Sequence, residues 1–292
     1  MAVAVITIGG PDRNTASTDI VVTKPASTAI GDLLVAHVCR SDNDQTARTW
    51  TAPAGWNEVI DTNGNDDAIS SSSMATFWKV ATSTETAASN FTFQTSATAD
   101  TLAGAMYRIT GHHSTDPVSA FNSAFVNNDE TPSFATTITP VANCLLLMMV
   151  HHYAGSSTTK TTSAYAIVTS NPSWSEAYDD HNSTALTIAG ASGLRPEATA
   201  TGNASFTSSG DATTDTGLMI VAIRPPIDVT VSPDPVAGTS TVNAPTVSGG
   251  ATVSPATVTA TSTVNTPTEM GQADWSAVDK SDTASWSNLS KS

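Results

Sequence analysis

GDLLVAHV (residues 31–38) and ANCLLLMMV (residues 142–150) are short, almost unbroken apolar runs that each open on a turn-forming pair. A run of this length, bounded by turn signals, marks a strand buried on both faces. The segments downstream of the two runs are also alike. TAPAGWNEVIDTNGNDD, ATFWKVAT and FTFQTSATADTLAGAMYRITG succeed the first; SNPSWSEAYDDHN, ALTIAGASG and ASFTSSGDATTDTGLMIVAIRP succeed the second. In both, a Pro precedes a Trp with a Glu two residues on (Trp56/Glu58 and Trp174/Glu176), and an acidic stretch comes next. An apolar strand, a Phe-Thr strand and a long closing strand then complete each half. Neither half alone offers a covered sheet, so the halves are expected to interleave in a single jelly-roll-like β-sandwich over residues 1–226. A further strand candidate is AVAVITI at the N-terminus. No segment of comparable length carries a 3.6-residue apolar period, so the fold class is all-β.

Composition agrees. Charged residues are 13% of the 292, about half the usual share, and apolar residues 39%. Ser, Thr, Ala and Asn fill the difference, which suits hydroxyl-covered strands and argues against long exposed helices. A net charge of −15 repels phosphate, so no nucleic-acid partner is expected. MAVAVITIGGPD lacks the basic n-region and long apolar core of a signal peptide and reads as a first strand. LLLMMV is too short to span a bilayer, so no membrane insertion is expected. The two cysteines, Cys39 and Cys144, sit in apolar runs and read as buried thiols.

After Arg224-Pro225-Pro226 the chain changes character. VSPDPVAGTSTVNAPT (231–246) returns as VSPATVTATSTVNTPT (253–268), an offset of 22 residues. Val and Thr favour extended backbone and Pro forbids helix, so residues 227–271 read as an extended arm. In residues 272–292 a second duplication appears: Trp275, Val278 and Lys280 recur as Trp286, Leu289 and Lys291. Trp favours interfaces, having a large apolar face and one N–H to satisfy, so this tail is expected to dock on a partner.

Catalytic signatures are missing from the sequence: there is no Gly-x-Ser-x-Gly elbow, no His-Glu-x-x-His and no phosphate loop, and no enzymatic activity is expected. Adjacent histidines on a strand face opposite ways, so neither His112/His113 nor His151/His152 chelates one ion as a strand pair. Asp61, Asn63, Asn65 and Asp67 place oxygens at alternate positions, as calcium loops do. Yet the stretch lacks the Gly and the closing Glu of an EF-hand; position twelve is Ser72. Asp179 and Asp180 form a matching acidic stretch in the second half. Asx-rich turns between strands account for both. Calcium or a polar ligand such as a host-surface glycan is the alternative, with Trp50 as the aromatic beside it.

The progression GDLLVAHV, APAGWNEV, ATFWKVAT and YRITG-x-x-x-x-DPV resembles jelly-roll domains of virion proteins of tailed bacteriophages. The tail duplication and the Val-Thr-Pro repeat are similar in style to tails of phage structural proteins. The resemblance implies a non-enzymatic virion component, multimeric in the particle, whose partners are tail or capsid subunits. A minor tail or tail-tip protein is the first expectation, a capsid decoration or head-fibre protein the second, and a carbohydrate-binding host-adhesion module the third. No catalytic residue transfers.

Overall fold

The computed structural model describes residues 2–42, 46–64, 71–127, 132–154, 161–181, 186–208 and 214–226. The extended arm (227–271) and the tail that carries Trp275, Val278, Lys280, Trp286, Leu289 and Lys291 lie outside the described residues. The first half holds β1 (Ala4–Thr23), β2 (Leu33–Asp42), β3 (Trp50–Thr51), β4 (Asn57–Gly64), β5 (Ser71–Val80), the one-turn helix α1 (Ser83–Ala87) and β6 (Asn90–Thr110). The second holds β7 (Val118–Asn127), β8 (Ser133–Phe134), β9 (Cys144–Ala154), β10 (Thr162–Ile167), β11 (Ser175–His181), β12 (Leu186–Arg195), β13 (Ala204–Ser208) and β14 (Thr214–Ile223).

The pairings of these strands are antiparallel, and the two halves build the same plan. The first makes a large sheet β1-β6-β2-β5-β4; the second makes β7-β14-β9-β12-β11. β1 and β6 are long enough to serve twice. Register shifts between Gly9 and Asp12 and between Ser17 and Asp19 bend β1, so Ile20–Val22 pair with Phe91–Phe93 as a second leg. Asp12 pins the two legs together, its carboxylate accepting from Thr23 N at 2.6 Å and Thr23 Oγ1 at 3.1 Å. With β3, which pairs with β6 at Thr95, the second leg of β1 and the first leg of β6 form a small cover. In the second half the equivalent cover is a separate sheet, β10-β13-β8.

The expectation of interleaved halves is therefore corrected: among the described residues, no sheet mixes strands of the two. Each large sheet has its own cover, because the Phe-Thr strand of each half folds back over the outer face. Three cores result. Val35, Cys39 and Tyr107 meet Leu147, Met149 and Val221 between the large sheets. Leu34, Ala36 and Phe77 lie with Phe93 under the first cover, and Met148, Ile220 and Phe206 under the second. This layering explains the unbroken apolar runs: Leu34 and Val35, like Met148 and Met149, point to opposite faces, and both faces are dry. Both cysteines are buried and unpaired; burial pushes the Cys39 thiol up to about 12 and the Cys144 thiol to about 11.

Candidate functional site

The acidic stretches are not loops at their starts: Asp61–Gly64 closes β4, and Asp179–Asp180 lies within β11. They are equivalents. Asp61 pairs with Ala75 of β5, and Asp179 with Ala189 of β12. The two carboxylates do the same work. Asp61 Oδ2 accepts from Trp50 N at 2.8 Å, and Asp179 Oδ2 accepts from Thr162 N at 2.7 Å. In each half an aspartate thus ties the first residue of the cover strand, β3 or β10, to the large sheet. Asn63 adds a tie, accepting from Arg48 N at 2.9 Å. Asn65 and Asp67 lie outside the described residues.

Trp50 is corrected from ligand platform to core residue. Only 4% of it is exposed, and its indole N–H donates to Ser73 Oγ at 3.0 Å. The apolar ring is drawn under the cover because β3 lies over the outer face of the large sheet, where burial of a Trp stabilises by a few kcal/mol. Trp56 and Trp174 fill equivalent half-buried places: Trp56 stands edge-on to Phe91 and Phe93 at 5.1 and 5.4 Å, and Trp174 lies 6.4 Å from Tyr165.

Both acidic stretches reach the same end of the sandwich but do not share a site. β4 lies beside β7 at one side, and β1 lies beside β11 and β12 at the other. Four strand spacings of about 4.8 Å each therefore put roughly 19 Å between Asp61 and Asp179 across the strands, and the sheet-to-sheet distance of about 10 Å adds to that. Asp180 is engaged across the halves: Arg13 donates to its carboxylate at 2.6 Å, to its backbone oxygen at 2.7 Å and to Leu186 O at 2.6 Å. Sequence reasoning missed Arg13, because nothing local links it to a residue 167 positions on.

Burial first, and the nearby Glu58 charge, raise Asp61 above the usual carboxylate range, although its bond from Trp50 N works the other way. The folded state therefore binds this proton more tightly than the unfolded chain does. Stability is lost as pH rises through the window from 3.8 up to the raised value. Asp61→Ala is expected to lower stability at pH 7 by about 1–2 kcal/mol, since it leaves Trp50 N without its acceptor. Asp61→Asn keeps an acceptor and removes the charge, and should recover most of that loss and flatten the acid-side slope. Urea denaturation at several pH values measures both; equal losses for Ala and Asn would end the tie as an explanation.

His112 is structural as well. It sets Nδ1 2.8 Å from His113 O and Nε2 2.9 Å from Gly31 O. His151 and His152 point to opposite faces of β9, as their adjacency requires. Among the described residues, no group of three His, Cys, Asp or Glu is placed to hold a metal ion.

A cleft of about 690 Å³ opens at the far end, between the start of β1 and strands β11 and β12. Val5, Ile8 and Leu145 make its apolar side, and Ser175, Glu176 and Ser192 its polar one. It exists because the halves have diverged. Ser192 pairs with Ser175 where, in the first half, Trp78 pairs with Asn57. Trp78 packs on the central core and fills the space that Ser192 leaves open. Partial loss of solvent, then the neighbouring Asp179, holds the Glu176 carboxyl above its usual range. Chemically the cleft offers one carboxylate, several hydroxyls and an apolar wall. That set suits binding. An alignment of the two halves is the signal that finds it.

Fold and site together define a duplicated antiparallel β-protein in which Asp61, Asn63, Asp179 and Asp180, four of the predicted ligand residues, tie strands together. Comparison with known proteins finds no match: no family model, no curated protein and no solved structure is similar to the chain.

Proposed function

We propose that the protein is a non-enzymatic structural component of a tailed-phage virion, a minor tail or tail-tip protein. It displays the duplicated β-sandwich and is anchored through residues 227–292. The observation that carries this reading is the strand order. With the two legs of β1 and of β6 counted separately, the large sheet of the first half runs first, eighth, third, sixth, then fifth. The small cover runs second, seventh, fourth. The second half repeats both orders. Both orders accord with a jelly roll whose fifth strand has moved to the larger sheet, an architecture that viral capsid domains share with lectins and cupins. Low charge and hydroxyl-rich strands accord with a protein that works outside a cell.

The glycan reading loses its aromatic, because Trp50 faces the core. Mass spectrometry of gradient-purified particles tests the proposal: the chain should co-sediment at fixed stoichiometry, and Trp275→Ala/Trp286→Ala should abolish incorporation. A few copies per particle places it in the tail, hundreds in the head. Recovery only from the soluble fraction would overturn the assignment.

A further inference from the structure

The central core is apolar except at one level. There the first half contributes His37 on β2, and the second contributes His151 on β9 and Tyr178 on β11, all buried. His37 Nδ1 lies 2.9 Å from the Tyr178 hydroxyl, so one bond crosses from half to half. Among the described residues its Nε2 has no partner, and neither ring nitrogen of His151 has one. His151 is boxed instead by the edge of Phe125, ring centres 5.5 Å apart, and by Gly217. A neutral imidazole tolerates this. A protonated one does not, since it gains a second N–H with nothing to accept it.

The surroundings worsen a positive charge. From β1 comes Arg13, already occupied by Asp180 of β11. From β2 come Cys39 on the same face and Arg40 on the other; from β6 comes Tyr107. β5 presents Thr76, whose hydroxyl points to Met219 Sδ at 3.0 Å. β4, β7, β12 and β14 present Gly64, Phe125, Gly190 and Gly217. Burial first, then His151, lowers His37 to about 3; burial, then Arg40, lowers His151 to about 3.

His152 makes the contrast. It faces the second cover, and its ring nitrogens each lie 3.1 Å from a hydroxyl, Thr216 and Thr162. A proton there has partners.

We propose that acid opens the protein between its two large sheets, parting the halves while each sheet stays packed on its own cover. A group whose folded value is depressed stabilises fully above its unfolded value of 6.5, and that contribution fades as pH falls toward 3. Each histidine shifts the closed-to-open equilibrium by up to about tenfold per pH unit in that window, and the pair by up to about a hundredfold. Asp61 and Glu176, held above their usual range, oppose the change weakly and lie outside the histidine level.

Methionines report which core opens. Met74, Met149 and Met219 belong to the central core, while Met106 and Met148 belong to the covered ones. The full-length protein is pulsed with hydrogen peroxide between pH 7 and 3.5, and sulfoxide is located by peptide mass spectrometry. The expected result is oxidation of Met149 and Met219 at a higher pH than Met148 and Met106. His151→Leu, which loses no hydrogen bond, should lower that midpoint by roughly one pH unit. His37→Asn, which keeps a polar partner for Tyr178, is an independent second arm with the same expected direction. Oxidation of adjacent Met148 and Met149 in step would overturn the proposal, as would midpoints unmoved in both variants.

Discussion

Gly190→Ala should destabilise the protein by about 3 kcal/mol or more, a large part of a typical margin of about 5–15. Gly190 lies on the inner face of β12, where a methyl group would run into the Tyr107 hydroxyl and meet the Tyr178 ring at 2.6 Å. Neither ring has room to retreat. Tyr107 and Tyr178 are both buried, their rings tilted to each other with centres 5.6 Å apart, and Tyr178 is held by His37. The methyl group must therefore push the large sheets apart along the whole level. Adding Tyr107→Phe removes the nearer clashing atom and should return about 1 kcal/mol, leaving the Tyr178 contact. Guanidinium denaturation at pH 7 reads both variants. A loss below about 1 kcal/mol for Gly190→Ala would mean the tyrosine pair yields freely, and the close packing of the halves would not be a constraint.

Arg13→Ala should lower stability by about 2–3 kcal/mol. The guanidinium makes three short bonds from the first half to the second, one to a carboxylate and two to backbone oxygens. Bonds from a charged donor contribute about 1.5–3 kcal/mol each when buried. Here 14% of the Arg13 side chain and 34% of that of Asp180 remain exposed, so solvent screening discounts the sum. Arg13→Lys keeps the charge but not the planar fork and should recover less than half of the loss. Because these bonds hold the sheets together at the level of the buried histidines, the alanine variant should also open at a higher pH than the wild type. Denaturation curves and the acid midpoint of methionine oxidation give the two readings independently. A normal midpoint in a destabilised Arg13→Ala protein would show that Arg13 supports one half and not their junction.

Much of the fold is legible in the chain. DLLVAHVC, ATFWKVAT, CLLLMMV and TGLMIVAI all become central strands, because an apolar run of that length has no other way to bury both faces. The likeness of Trp56/Glu58 to Trp174/Glu176 correctly marks a duplication, since each pair opens an equivalent edge strand. Legibility fails where one segment plays two parts. FTFQTSATADTLAGAMYRITG reads as two strands yet is the single bent β6, and PDRNTASTDIVVT, which shows no clear strand pattern, carries the second leg of β1. Those legs cover the outer face, so without them each half looks uncovered, and interleaving becomes the expectation.

The site misleads for a related reason. Asp61, Asn63, Asp179 and Trp50 have the chemistry of a ligand site, and residue type alone does not tell a ligand from a backbone N–H. The chain by itself determined the strands, the duplication and the polarity of their faces, because alternation and run length are properties of neighbours in sequence. The tertiary structure alone decided that the halves stay separate and that the aspartates tie cover strands. It also decided that Arg13 bridges the halves and that His37 and His151 share one dry level. Each of these depends on which strand or cover lies opposite, and that is set by packing of whole faces, on which no local pattern reports.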